Sequence, residues 1–201
     1  KEELKKLKKE NLLKNMYFSA MTRQKEYISS TISLAREDNI DYLLHIDDDE
    51  LLFISDDFKN INDLFKFLRK KNPDASEFHF SNIEAVFKKD KKSCFDTDKF
   101  IECKKSRSSD EPGCKAYVNG KSAGNIRDEK LKYYGPHKLR GKGKRINVSK
   151  NIAKILHFES CSYEKWYNKF RNMNNMDEEK FNKIPFKFYK DSIKKINSCK
   201  N

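Results

Sequence analysis

Apolar residues first recur at helical spacing between Thr22 and Glu37, where Ile28, Ile32 and Ala35 form a stripe and Asp38-Asn39 supplies a stop. The next apolar run, Tyr42-Leu43-Leu44-His45-Ile46, is short and ends abruptly in four acids, which predicts a buried strand delivering carboxylates at its carboxyl end. Ile61, Leu64, Phe65 and Leu68 predict a second helix from about Asn60 to Lys71, broken by Asn72-Pro73-Asp74. Glu77-Phe78-His79-Phe80 and Glu84-Ala85-Val86-Phe87 read as a following strand pair. Residues 88–113 are polar and lack periodicity, predicting loops around a short element at Phe100-Ile101. Strand candidates follow at Lys115 to Val118, Leu131 to Tyr134 and Ile152 to Phe158, separated by glycines. A helix from Ser162 to Met173, with Trp166, Phe170 and Met173 on one stripe, and another from about Phe186 to Ile196 close the pattern. Residues 1–15 read as a polar helical arm and 176–201 as a helical extension. Strand and helix alternate, so the expected fold is one α/β domain over 1–201, with a mixed central sheet flanked by helices.

Length and composition agree with a folded chain. The 201 residues suit one domain, and 36% hydrophobic with 12% aromatic residues can furnish a core, although 37% are charged and the mean hydropathy is −0.96. No apolar run approaches the roughly 20 residues of a membrane helix and no signal-peptide core opens the chain, so a cytoplasmic location is expected, with a segment upstream of Lys1 left open. The formal net charge of +13 favours polyanionic partners, among them nucleic acid and nucleoside diphosphates, although a Lys-, Asn- and Ile-rich bias produces the same excess without such a demand. Five cysteines lack a C-x-x-C pair, which argues against structural zinc and for reduced thiols, or an optional bridge among Cys94, Cys103 and Cys114. Asn147-Val148-Ser149 is a glycosylation sequon, relevant only in a secreted protein.

The chemistry concentrates at Asp47-Asp48-Asp49-Glu50. In extended backbone Asp47 and Asp49 point one way and Asp48 and Glu50 the other, so two carboxylates converge. Their repulsion is relieved by a divalent cation, and hard oxygen ligands select Mg²⁺ or Mn²⁺. An EF-hand is excluded, since Leu51, Leu52 and Phe58 stand where a ligand, the turn glycine and the terminal glutamate belong. The alternative is a solvated acidic turn. Asn119-Gly120-Lys121-Ser122-Ala123-Gly124 fails the P-loop spacing, because position 115 is Lys115, but reads as a small-residue loop able to approach phosphates or a sugar, or as an ordinary hairpin turn. His137, in a turn, and His157, ending an apolar strand, are the histidines available to complete a cation site; His45 and His79 read as structural. His157 is preferred as ligand because strand packing would hold it rigid, with His137 directed toward acceptor or diphosphate.

The segment Asp41 to Leu52 resembles the W-L-x-x-I-D-x-D-E-F/L stretch of GT-A-fold glycosyltransferases of the family 2-like and family 92-like groups. Ala153 to Trp166, with Lys169, is similar to their strand-H-Y and S-x-E-x-W/F-x-x-K stretch, and Asn119 to Ala123 and Gly135-Pro136-His137 resemble elements of some members. The resemblance implies a GT-A-like fold; because only 46 residues precede Asp47, the base-recognition unit is expected to be shortened, supplied by Met16 to Ala20, or missing with a truncated N-terminus. It also implies Asp47 and Asp49 as the D-x-D pair holding Mn²⁺ or Mg²⁺ with a histidine. Donor contacts fall to Asp48, Gly120, Lys121, Ser122 and Arg23. The implied activity is sugar transfer from a nucleoside diphosphate sugar to a glycan or protein hydroxyl, with inversion the expected course; Asp49, Asp96 and Glu77, with Asp98, are the acids considered for catalysis. Neither a stable nucleic-acid partner nor a membrane span is expected. The rival expectations are a metal-dependent nuclease or nucleotidyl transferase, for which paired carboxylates and positive charge serve equally, and a basic nucleic-acid-binding module.

Overall fold

A computed structural model describes residues 16–86, 93–97, 99–103, 119–160, 162–173, 176–184 and 186–198. In chain order the elements are α1 (Met16–Glu37), β1 (Tyr42–Leu44), β2 (Glu50–Ile54), α2 (Ile61–Lys71), β3 (Ala75–Phe80), β4 (Asn82–Ala85), a 3₁₀ turn (Cys94–Asp96), β5 (Phe100–Ile101), β6 (Lys121–Asn125), β7 (Lys132–Gly135), β8 (Lys138–Arg140), β9 (Lys144–Val148), β10 (Ala153–His157), α3 (Tyr163–Met173), α4 (Glu178–Lys183) and α5 (Lys187–Ser198). The protein is thus a mixed α/β chain, and it divides into two compact units, 1–45 with 69–79 and 121–146, and 46–68 with 80–120 and 147–201.

The first unit carries a sheet of order β1-β6-β3-β9 and the β7-β8 hairpin. β1 pairs antiparallel with β6, Leu43 opposite Gly124. The stripe Ile28, Ile32 and Ala35 of α1 packs on Ile126, Leu131 and Leu139, burying the face its spacing marks out. Helix α1 stops where Asn39 takes a left-handed φ of 56° and the Ile40 amide reaches back to the Ala35 carbonyl at 2.9 Å, a Schellman-type ending. Every residue of β3 is buried, including Glu77 and His79.

The second unit holds a mixed sheet of order β2-β10-β4-β5, with β10 antiparallel to β2 and parallel to β4, and β4 antiparallel to β5. β10 therefore runs through its middle, with Ala153 and Ile155 fully buried. Asn60 caps α2, its Oδ1 accepting the amides of Asn62 and Asp63, and Leu64 and Leu68 are its buried positions. Phe170 of α3 is fully buried against Ile193 and Ile196 of α5, and Trp166 Nε1 donates to Ser192 Oγ at 2.9 Å.

Most helices follow the expected stripes. The strands differ: β2, β6, β8 and β9 were not anticipated, whereas α4 falls within the expected helical extension. Gly120 to Gly124, expected as a loop or turn, is largely the buried strand β6. Small residues suit this strand because a Cβ on Gly124 would meet the Leu131 side chain at 2.7 Å. The expected strand at 115–118 and the arm at 1–15 lie outside the described residues. Cys103 is disulfide-bonded, a bridge being one of the two states expected of the cysteines. No described helix is long and apolar enough to cross a membrane.

Candidate metal centre

The acidic stretch is not extended. The Glu50 amide donates to the Asp47 carbonyl at 3.1 Å and the Asp47 amide donates to Glu50 Oε2 at 2.8 Å, closing a turn with Asp48 and Asp49 at its head. Alternation of faces, the argument for a converging Asp47 and Asp49, therefore does not apply; backbone hydrogen bonding prevails over extension where like charges crowd. Glu50 opens β2, is buried, and stands opposite His157 on β10. The amide of Phe158 donates to the Asp49 carbonyl at 2.8 Å, tying the acidic turn to the end of β10.

His157 terminates that strand with only 2% of its surface exposed. Its Nδ1 lies 2.7 Å from Glu84 Oε1 and its Nε2 3.5 Å from Asp49 Oδ2. Burial pulls the imidazole's pKa down, but hydrogen bonds and charge from Asp49 and Glu84 outweigh it and raise the group to about 10. Burial pushes the Asp49 carboxyl up, yet the hydrogen bond and charge of His157, with Lys169 behind, hold it below its ordinary value. Glu159 behaves alike: burial opposes ionisation and Lys169 overcomes it. Lys169 Nζ reaches both Glu159 oxygens at 2.8 and 2.7 Å, and Tyr189 donates to Oε2 at 3.0 Å.

Among the described residues, ligand atoms of Asp49, His157 and Glu159 lie within 4.8 Å of one another. Two carboxylates and one imidazole fit a divalent cation of intermediate hardness; Mn²⁺ accepts that mixture more readily than Mg²⁺, which favours oxygen alone. The buried pairing of Asp49 with a cationic imidazole fits too, since a bound cation takes over the charge that His157 supplies. A cavity of about 240 Å³ adjoins, its walls including Asp48, Phe95, Phe158, Lys165 and Lys169.

The other anticipated residues have different surroundings. Asp47 is half-buried and outside the Asp49, His157 and Glu159 group. Lys121, Ser122, Glu77, His137 and Arg23 belong to the first unit. Lys121 is fully buried and donates to the Pro136 carbonyl at 3.1 Å, so it is no mobile phosphate clamp. Ser122 Oγ donates to Glu77 Oε1 at 2.5 Å, and Arg145 Nε lies 3.5 Å from the same oxygen; Glu77, 2% exposed, is thereby an internal partner and not an accessible base. Gly120 packs against Phe80 instead of cradling phosphate: a Cβ there would stand 2.0 Å from the Phe80 carbonyl oxygen. Asp96 accepts the Ser93 amide in a capping box on the 3₁₀ turn. His137 sits half-buried in the β7–β8 turn and Arg23 is exposed on α1. His45 lies 3.4 Å from Gln24, and His79 Nδ1 is 3.2 Å from Ser122 Oγ, both within the first unit. Asp98 lies outside the described residues.

Sequence reasoning missed Glu84 and Glu159. Glu159 carried a signal, since it follows the strand-end histidine by two positions. Glu84 carried none, because only the parallel pairing of β4 with β10 sets it against His157. The chain matches no protein-family model and no curated protein sequence.

Proposed function

We propose that the protein is a metal-dependent glycosyltransferase of the GT-A type, moving a sugar from a nucleoside diphosphate sugar to a hydroxyl of a glycan or protein. The observation that carries this reading is the convergence of Asp49 with His157 and Glu159 within 4.8 Å. Asp49 belongs to the acidic motif and His157 to the later strand motif that resemble this family, and Glu159 follows His157 by two positions. Contact between two motifs so distant in sequence supports a shared chemical site. A bound Mn²⁺ supplies charge neutralisation for a departing diphosphate. The chain's own residues position and exclude. Asp49 and Glu159 offer carboxylate oxygens and His157 offers Nε2. Lys165 on the cavity wall is the cation whose natural partner is a phosphate oxygen, Lys169 being held by Glu159 and Tyr189, and Phe95 and Phe158 give an apolar face to a ring. Asp48, exposed on the same wall and outside the cation group, is the carboxylate we assign to take the acceptor proton in an inverting transfer.

The test is a panel of nucleotide sugars assayed for Mn²⁺-dependent thermal stabilisation and slow hydrolysis. A rise in midpoint and diphosphate release with one donor class, both lost in Asp49→Ala, is the expected result. Mn²⁺-dependent cleavage of single-stranded DNA with no nucleotide-sugar response would replace this reading with phosphodiester chemistry.

A further inference from the structure

Glu84 is fully buried, and among the described residues its Oε2 has no hydrogen-bond partner. Burying a carboxylate oxygen unpaired costs free energy that a glutamine of the same shape would avoid in large part.

Its surroundings point to the histidine. Glu84 stands opposite His157 in the parallel β4–β10 register, so both side chains leave the same face of the sheet. Oε1 meets His157 Nδ1 at 2.7 Å and Asn82 Nδ2 at 3.1 Å. Asn82 in turn accepts the Gly120 amide through Oδ1 at 3.1 Å. Gly120 has a φ of +58° and no room for a Cβ, so the start of this chain of contacts is set by tightly packed backbone. The series Gly120, Asn82, Glu84 therefore reaches the imidazole through held groups.

We infer that Glu84 is a positioning residue for the cation site: by accepting the Nδ1–H of His157 it fixes the tautomer in which the Nε2 lone pair faces Asp49 and Glu159. A neutral imidazole carries one N–H, and donating it to Glu84 leaves Nε2 as the ligand atom. The carboxylate also strengthens the donor power of the ring, as an outer partner of a metal-bound histidine does. The inference rests on the metal-centre reading above.

Calorimetric titration of Mn²⁺ into wild type, Glu84→Gln and Glu84→Ala, with metal-free thermal midpoints, tests it. Glu84→Ala should bind at least tenfold more weakly, whereas Glu84→Gln, whose carbonyl accepts the same N–H, should stay within about threefold of wild type. In wild type loaded with diamagnetic Zn²⁺, ¹⁵N NMR should find the His157 proton on Nδ1. A purely structural Glu84 would lower the midpoint of Glu84→Ala with Mn²⁺ affinity unchanged, and that result, or a proton on Nε2, overturns the inference. Failure of the underlying reading is distinguishable, because wild type would then bind no Mn²⁺ at all.

Discussion

Phe158 donates its amide to the carbonyl of Asp49 at 2.8 Å, so the residue after the strand-end histidine is stitched to the acid that faces that histidine. This backbone bond does not depend on charge. It holds the two halves of the site together whether or not a cation is bound, and it means that side-chain variants at Asp49 or His157 perturb chemistry more than position.

Asp49→Ala should abolish measurable Mn²⁺ binding and lower the metal-free midpoint by a few degrees. Like-charge repulsion, argued from the acidic run alone, favours an unchanged or raised midpoint. The contact with His157 reverses that expectation, since removing Asp49 deprives a buried imidazole of an acid partner, a loss of about 1 kcal/mol. Differential scanning calorimetry without metal decides between the two.

Lys169→Met should destabilise the second unit by about 1–3 kcal/mol, because Glu159 is buried and its cationic partner is removed; the partly exposed lysine keeps the figure below that of a fully buried pair. Mn²⁺ should then stabilise the variant more than wild type, by supplying the missing charge. Thermal scans with and without the ion measure this directly; equal increments would contradict it.

Gly120→Ala should cost 2 kcal/mol or more, on the order expected for a positive φ combined with a steric clash, since the added carbon would stand 2.0 Å from the Phe80 carbonyl oxygen. Urea denaturation reads the loss. A phosphate-cradling glycine would instead change ligand affinity with little effect on stability.

The first unit should lose stability as pH falls from 6.5 toward 4. Burial, reinforced by the charges of Arg145, Lys138 and His137, lowers the His79 imidazole to about 4. With the folded pKa below the unfolded one, the unfolded chain binds the extra proton between those values, so the contribution is complete above 6.5 and lost on acidification, up to about 3 kcal/mol. Denaturant midpoints across this window should fall, and should fall less in His79→Gln.

Periodicity made the helices legible, because stripes such as Ile28, Ile32 and Ala35 or Leu64 and Leu68 bury what their spacing marks. It failed for β6, whose Lys121 and Ser122 are polar yet buried, their polar atoms satisfied by Pro136 and Glu77 from distant segments. Asp49 and His157 were legible from chemistry and resemblance. Their geometry was not: the turn at 47–50 depends on the Glu50 carboxylate accepting the Asp47 amide, and Glu84 meets His157 through sheet pairing that no local pattern announces.

The central claim is a divalent cation site built by Asp49, His157 and Glu159, and Mn²⁺ titration calorimetry on wild type and the three single alanine variants tests it most directly. The account predicts one Mn²⁺ per chain in wild type, with affinity reduced at least tenfold in each variant. No uptake by wild type, or wild-type affinity in all three variants, would contradict it.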